Sequence, residues 1–153
     1  MKQIRKTSLC PILIEEEDGY IVRLSFQRGV RDEKNDRGAS PLLDEAFEQL
    51  ERYFKGQIKE FDLPIKLKGT DFQKRVWRQL QKIPYGKTRS YGQTAAAVKN
   101  PKGARAVGMA NNKNPIPIIV PCHRVIGADG ALIGFAGRLD LKKKLLKLEG
   151  ALS

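Results

Sequence analysis

Two helix starts are written in the second half of the chain in the same grammar: Thr70 with Gln73 at the head of TDFQKRVWRQLQKI, and Ser90 with Gln93 ahead of TAAAVK. In each, the hydroxyl can accept from the backbone N–H three residues on while the Gln side chain reaches back to the cap. Donors that a helix start leaves bare are thereby satisfied. The first start carries Phe72, Val76, Trp77, Leu80 and Ile83 at helical spacing and is stopped by Pro84-Tyr85-Gly86. The second leads into Asn100-Pro101-Lys102-Gly103, a turn, and then ARAVGMANN. Two short helices across a tight turn predict a helix-turn-helix.

The first half follows another pattern. ILIEEEDGYIVRLSF places an Asp-Gly turn between two runs containing Ile, Val, Tyr and Phe, the signature of a β-hairpin. The polar stretch from Gln27 to Ser40 reads as a loop. After Pro41, the residues Leu42, Leu43, Ala46, Phe47, Leu50 and Phe54 form one helical stripe that ends at Gly56. FDLPIKL then leads, extended, to a boundary within residues 66–69. The fold class expected is α/β of the α+β kind, with a small sheet-plus-helix domain over residues 1–66 and a mostly helical domain over 69–153.

Charge separates the same two parts. Residues 1–65 carry net −2 and residues 66–153 net +14, within a formal total of +12. A segment that cationic attracts polyanions, nucleic acid first, through phosphate neutralisation and counterion release. A merely well-solvated surface or a contact with anionic lipid is the competing explanation. No apolar stretch approaches the roughly 20 residues a membrane-spanning helix needs. The first residues run from a short apolar patch into Glu15, Glu16, Glu17 and Asp18, a poor secretory signal. A cytoplasmic protein is expected, nuclear in a eukaryote. With two cysteines and one histidine, a metal site built from Cys and His alone falls short of four ligands, so no metal is expected.

The segment ARAVGMANN is unusual for its lack of bulk. Ala104, Ala106, Gly108 and Ala110 leave Arg105 projecting alone. Close packing against another helix explains the small residues as well as a nucleic-acid contact does; the solitary long cation favours the contact, because an unpaired buried Arg is costly.

The sole histidine stands directly after Cys122, in NPIPIIVPCHRVIG. A thiol of ordinary pKa, about 8.5, is only slightly ionised at neutral pH, so a useful nucleophile needs a base or a cation beside it. His123 and Arg124 supply both types. Consecutive side chains of an extended segment point to opposite faces, so Cys122 and His123 communicate only where the backbone turns or through a water. Pro121 makes such a turn reasonable. Taken alone, these residues leave a reactive nucleophile and a small buried residue equally open; Cys10 has no such neighbours.

PCHRV with its Asn114-Pro115 lead-in, GTDFQKRVWRQLQKIPYGKTRSYGQTAA, NPKGARAVGMA and the closing KLLKLEG resemble, in order and spacing, the O6-alkylguanine-DNA alkyltransferase family over residues 69–150. The first half resembles that family's ribonuclease-H-like domain only in size and in its strand-then-helix pattern. The resemblance implies direct reversal of DNA damage: an alkyl group passes from O6-alkylguanine in double-stranded DNA to Cys122, in one irreversible turnover, after the base is flipped out. O4-alkylthymine is left open as a second substrate.

By the same resemblance His123 is the base acting through a water, Glu149 its orienting carboxylate, and Asn114 the brace of the turn. Tyr91 rotates the 3′ phosphate and helps guanine leave, Arg105 fills the vacated place in the stack, and the small-residue helix lies in the minor groove. Phe72, Gly92, Asn100, Ala128 and Arg124 contact DNA. Met109, Val125, Phe135 and Ala136 line the pocket, with Ala136 where some members carry a serine. A monomer is implied, and no cofactor, since the lesion brings the alkyl group. Two rivals remain: a sensor that binds lesions without repairing them, whose known examples lack the cysteine, and a cysteine hydrolase, which leaves Arg105 and the cationic half unexplained.

Overall fold

The structure, a computed structural model, describes residues 1–29, 38–135 and 138–152. Most of the expected Gln27–Ser40 loop, and Ala136, expected to line the pocket, lie outside the described residues. The chain divides into two compact units, Met1–Lys68 and Gly69–Ser153.

In the first unit, strands β1 (Lys2–Arg5), β2 (Ile12–Glu17) and β3 (Tyr20–Phe26) form an antiparallel sheet in that order. The β2–β3 turn places Asp18 at φ 52° and Gly19 at φ 82°, the left-handed pair that matches strand twist in a two-residue hairpin. Strand β1 is an addition to the sequence reading: it has four residues, of which only Ile4 is buried, too short a pattern to betray a strand. Helix α1 (Pro41–Phe54) is capped by Ser40, whose side chain accepts from the Leu43 N–H, with Pro41 in the first turn.

Its buried face holds Leu43, Ala46, Phe47, Gln49, Leu50 and Tyr53. Leu42 and Phe54, expected on that stripe, are only half-buried, and Gln49 and Tyr53 take their place. Gln49 is tolerated because its amide exchanges two hydrogen bonds with the Asp62 backbone, at 2.9 and 3.0 Å. The helix ends at Phe54 with Lys55 as its C-cap, and Gly56, φ 72°, is the left-handed residue just beyond.

The second unit begins with α2 (Asp71–Gln81), where Thr70 and Gln73 make both bonds of a capping box. Its Trp77 is 1% exposed and donates its indole N–H to the Ala110 carbonyl at 2.8 Å, tying α2 to α4 (Ala104–Asn112). A second capping box, Ser90 with Gln93, opens α3 (Tyr91–Ala97). The turn from α3 to α4 is close-fitting: a Cβ on Gly103 would run into the Asn100 amide and lie 3.0 Å from the Asn100 carbonyl. Strand β4 (Arg89–Ser90) pairs in parallel with β5 (Val125–Ile126), bringing the N-terminus of α3 beside the segment that follows Cys122. Helix α5 (Leu139–Leu148) packs on the turn bearing Cys122.

Candidate active site

The backbone resolves the geometry that adjacency left open. Cys122, His123 and Arg124 form a single 3₁₀ turn, entered from Pro121 at φ −80° and ψ 66°. Three side chains in succession therefore fan out instead of alternating. Asn114 holds the approach: its Nδ2 donates to the Val120 carbonyl at 2.8 Å and its Oδ1 accepts from the Ile116 N–H at 3.0 Å. The apolar run between them is core, with Ile116 and Val120 fully buried.

His123 is fully buried, and its Nε2 lies 2.8 Å from Glu149 Oε2. The same carboxylate receives a fork from Arg124, Nε on Oε1 and Nη2 on Oε2, both at 2.8 Å, while Arg124 Nη1 donates to the Ile83 carbonyl at 2.6 Å. A guanidinium so placed keeps the carboxylate ionised, and an ionised carboxylate accepts. The imidazole proton is accordingly assigned to Nε2, which leaves Nδ1 a lone-pair acceptor; Nδ1 is buried with no hydrogen-bond partner among the described residues. Burial pushes the His123 pKa below its ordinary value, opposed by Glu149 and assisted by the charge of Arg124. The imidazole is thus neutral at neutral pH.

Cys122 is 4% exposed. Burial pushes its thiol up to about 11, with Asn114 and the Lys142 charge pulling the other way. A thiol in that state is unionised at neutral pH and needs a proton acceptor at the moment of reaction. The Cys122 carbonyl accepts from Asn111 Nδ2 at 3.2 Å, and Asn111 Oδ1 is a second buried side-chain atom with no hydrogen-bond partner among the described residues. Tyr91 at the start of α3 donates its hydroxyl to the Ile133 carbonyl at 2.9 Å, and Lys142 of α5 donates to the same carbonyl at 2.8 Å.

The remaining expected residues fall into two groups. Arg105, Gly92, Asn100 and Ala128 are exposed, Phe72 is half-buried beneath Arg75, and Met109 is 69% exposed on α4. Val125 is fully buried and Phe135 is 5% exposed, at φ 76°. Arg124 requires a correction. It was expected to contact DNA, but its side chain is 10% exposed and committed to Glu149 and Ile83. The sequence reading also missed Lys142 and Asn111. A signal existed: Lys142, Leu145, Leu146 and Glu149 share one helical stripe, as do Val107, Ala110 and Asn111.

Fold and site together define a two-unit protein in which a helix-turn-helix unit sets a buried thiol beside a carboxylate-bound imidazole. Residues 2–67 match the family described as 6-O-methylguanine DNA methyltransferase, ribonuclease-like domain, and residues 71–151 match its DNA binding domain. The chain is 48% identical over 151 residues to a methylated-DNA–protein-cysteine methyltransferase of Methanosarcina acetivorans, covering 97% of each chain. It is 47% identical to the constitutive methylated-DNA–protein-cysteine methyltransferase of Bacillus subtilis, covering 94% of this chain and 92% of that one. Among solved structures it is similar to Mycobacterium tuberculosis OGT in complex with DNA, with a TM-score of 0.87 and 43% identity over 98% of this chain and 92% of that one. The chain belongs to the methylated-DNA–protein-cysteine methyltransferase family.

Proposed function

We propose that this protein repairs O6-alkylguanine in double-stranded DNA by moving the alkyl group to Cys122. The observation that carries the reading is the arrangement of Cys122, His123 and Glu149, with His123 Nδ1 an unfilled acceptor on the residue next to the thiol. A water on Nδ1 relays the thiol proton to the imidazole, and Glu149 steadies the imidazolium. The thiolate attacks the alkyl carbon, a carbon–sulfur bond forms as the carbon–oxygen bond breaks, and the electron pair goes to the purine. The Tyr91 hydroxyl, turned from the Ile133 carbonyl to the base, supplies the proton with which guanine leaves neutral. Because a thioether is a poor leaving group, the product is permanent and each chain reacts once. The alkyl group arrives with the lesion, and no cofactor enters the chemistry.

An O6-alkyl group within a stacked duplex is out of reach of a buried sulfur, so the nucleotide is flipped. Arg105, exposed on a helix otherwise poor in bulk, takes the vacated place from the minor groove, which is about 6 Å wide. Phe72, Gly92, Asn100 and Ala128 meet the DNA backbone, and Met109, Phe135 and Val125 lie around the flipped base. Arg124 serves by holding Glu149. Residues 69–153 form the DNA-binding and acceptor domain and residues 1–66 the ribonuclease-H-like one. No helix among the described residues is long and apolar enough to cross a membrane. The site of action is the compartment holding the DNA: the cytoplasm, or the nucleus in a eukaryote.

Mass spectrometry tests the reading. Incubation with a duplex containing O6-methylguanine is expected to add one methyl per chain, on the Cys122 peptide, and Cys122→Ala is expected to abolish it. Binding without an adduct would assign the protein to lesion sensing instead.

A further inference from the structure

Met109 is 69% exposed, more than any other large hydrophobic residue among the described ones. Its helix does not call for it: α4 buries Val107, Ala110 and Asn111 on the other side, and alanine is the better helix former. A single exposed methionine on a face turned to water would need no explanation. This one stands on the face that the proposed function turns toward the duplex.

Neighbours fix which way that face looks. Gly108 lies against α3, where a Cβ on it would stand 3.8 Å from the Tyr91 ring. Asn112, also exposed, commits its Oδ1 to the Phe135 N–H at 3.1 Å. Arg105 and Met109 are then the long side chains that α4 presents outward, four residues apart on one side of the helix. With Arg105 in the place of the flipped nucleotide, Met109 falls one helical turn along, about 5.4 Å, or one to two base-pair steps of about 3.4 Å. Val125 and Phe135 are buried, whereas most of the Met109 surface is left over for the pairs beside the lesion.

We infer that Met109 is a specificity-determining residue: it lies on the floor of the minor groove beside the flipped nucleotide and favours a neighbouring pair that has no 2-amino group. The inference rests on the function proposed above. In the minor groove every pair shows acceptors at purine N3 and pyrimidine O2, and only G·C adds the guanine amino group. A thioether chain laid across that amino group takes it from water and offers back one weakly accepting sulfur. Over A·T the same chain is covered without orphaning an N–H.

The test is a set of O6-methylguanine duplexes in which one pair at a time, among the two on either side of the lesion, is varied. G·C is exchanged for inosine·C, and A·T for 2,6-diaminopurine·T, which removes or adds the 2-amino group and leaves the major groove as it was. Wild type, Met109→Ala and Met109→Leu are compared in methyl transfer at subsaturating duplex and, on a Cys122→Ala background, in binding by fluorescence anisotropy. Wild type is expected to favour the pair lacking the amino group by about fivefold at one or more of these positions, in both exchanges. Met109→Leu, which keeps the apolar bulk, is expected to preserve the preference, and Met109→Ala to reduce it to within about twofold. Both variants change an exposed side chain and are expected to melt within about 2 °C of wild type.

The inference is overturned by a wild type with no preference above about twofold, by a preference for the amino group, or by a preference lost equally in Met109→Leu. It is overturned as well by a preference that persists in Met109→Ala, which would belong to Arg105 or to the deformability of the duplex. Methyl transfer without any preference sinks this inference alone. Wild type that accepts no methyl from any duplex sinks the proposed function alone, because binding still reports the preference.

Discussion

Glu149→Gln is nearly isosteric, yet it takes the only buried carboxylate among the described residues from a site that holds a guanidinium and an imidazole. In the native protein Arg124 is 10% exposed at its side chain and Glu149 is fully buried there, so solvent cannot compensate the cation once the carboxylate is gone. Removing one partner of a buried ion pair costs about 3–5 kcal/mol. For a chain of this size each kcal/mol is worth about 2–4 °C, so the melting temperature should fall by about 6–20 °C.

The glutamine carbonyl can still accept from His123, but its amide has no lone pair for the second arm of the Arg124 fork. Adding Arg124→Met removes the orphaned cation. The double variant is therefore expected to be more stable than Glu149→Gln alone by about 1 kcal/mol or more, a coupling that a thermal or urea double-mutant cycle reads directly. Methyl transfer falls in both variants, because the imidazolium formed during proton removal has lost its counter-charge. A Glu149→Gln protein that melts within about 2 °C of wild type, or an Arg124→Met effect that simply adds, would refute the assignment of that buried charge balance.

Other outcomes follow from single features. His123 is held neutral by burial, so the unfolded chain takes up a proton near its ordinary value of 6.5 while the folded one resists. Stability is therefore present above that pH and lost below it, by up to about 1.4 kcal/mol per pH unit, and His123→Gln should lack this share of the acid loss in parallel melts. Trp77→Phe takes the indole donor from the Ala110 carbonyl, leaving it the Lys113 N–H at 3.2 Å, and should cost about 1–3 kcal/mol in urea unfolding. DNA affinity should fall steeply with salt. Arg105→Ala should reduce the log–log salt slope by no more than about 1 while suppressing the fluorescence change of a 2-aminopurine placed beside the lesion.

Much of the fold was legible because its signals are local. Thr70 with Gln73 and Ser90 with Gln93 announce helix starts with their own side chains, and Asp18-Gly19 announces a hairpin by the backbone angles it tolerates. Strand β1 was not legible, since a strand with one buried side chain owes its existence to the neighbour it pairs with. The candidate site divides in the same way. Cys122 and His123 stand together in the chain and invited attention. The fate of Arg124 depended on a carboxylate distant in sequence, and a basic residue in a cationic half is naturally read as a phosphate partner. Lys142 was hidden by company: three consecutive lysines look like a solvated face, and only the 3.6-residue period turns the first of them inward.

The depth of Cys122 bears on how such a protein can be kept in reserve. A reagent that is consumed by its first success must not be squandered on whatever electrophile or disulfide diffuses past. A sulfhydryl on a residue 4% open to solvent, and mostly undissociated, is a dull target for small molecules. Selectivity of this sort comes from concealment: the sulfur meets a reactive carbon only when a flipped base of the right shape is seated against it, and until then the molecule can wait unspent.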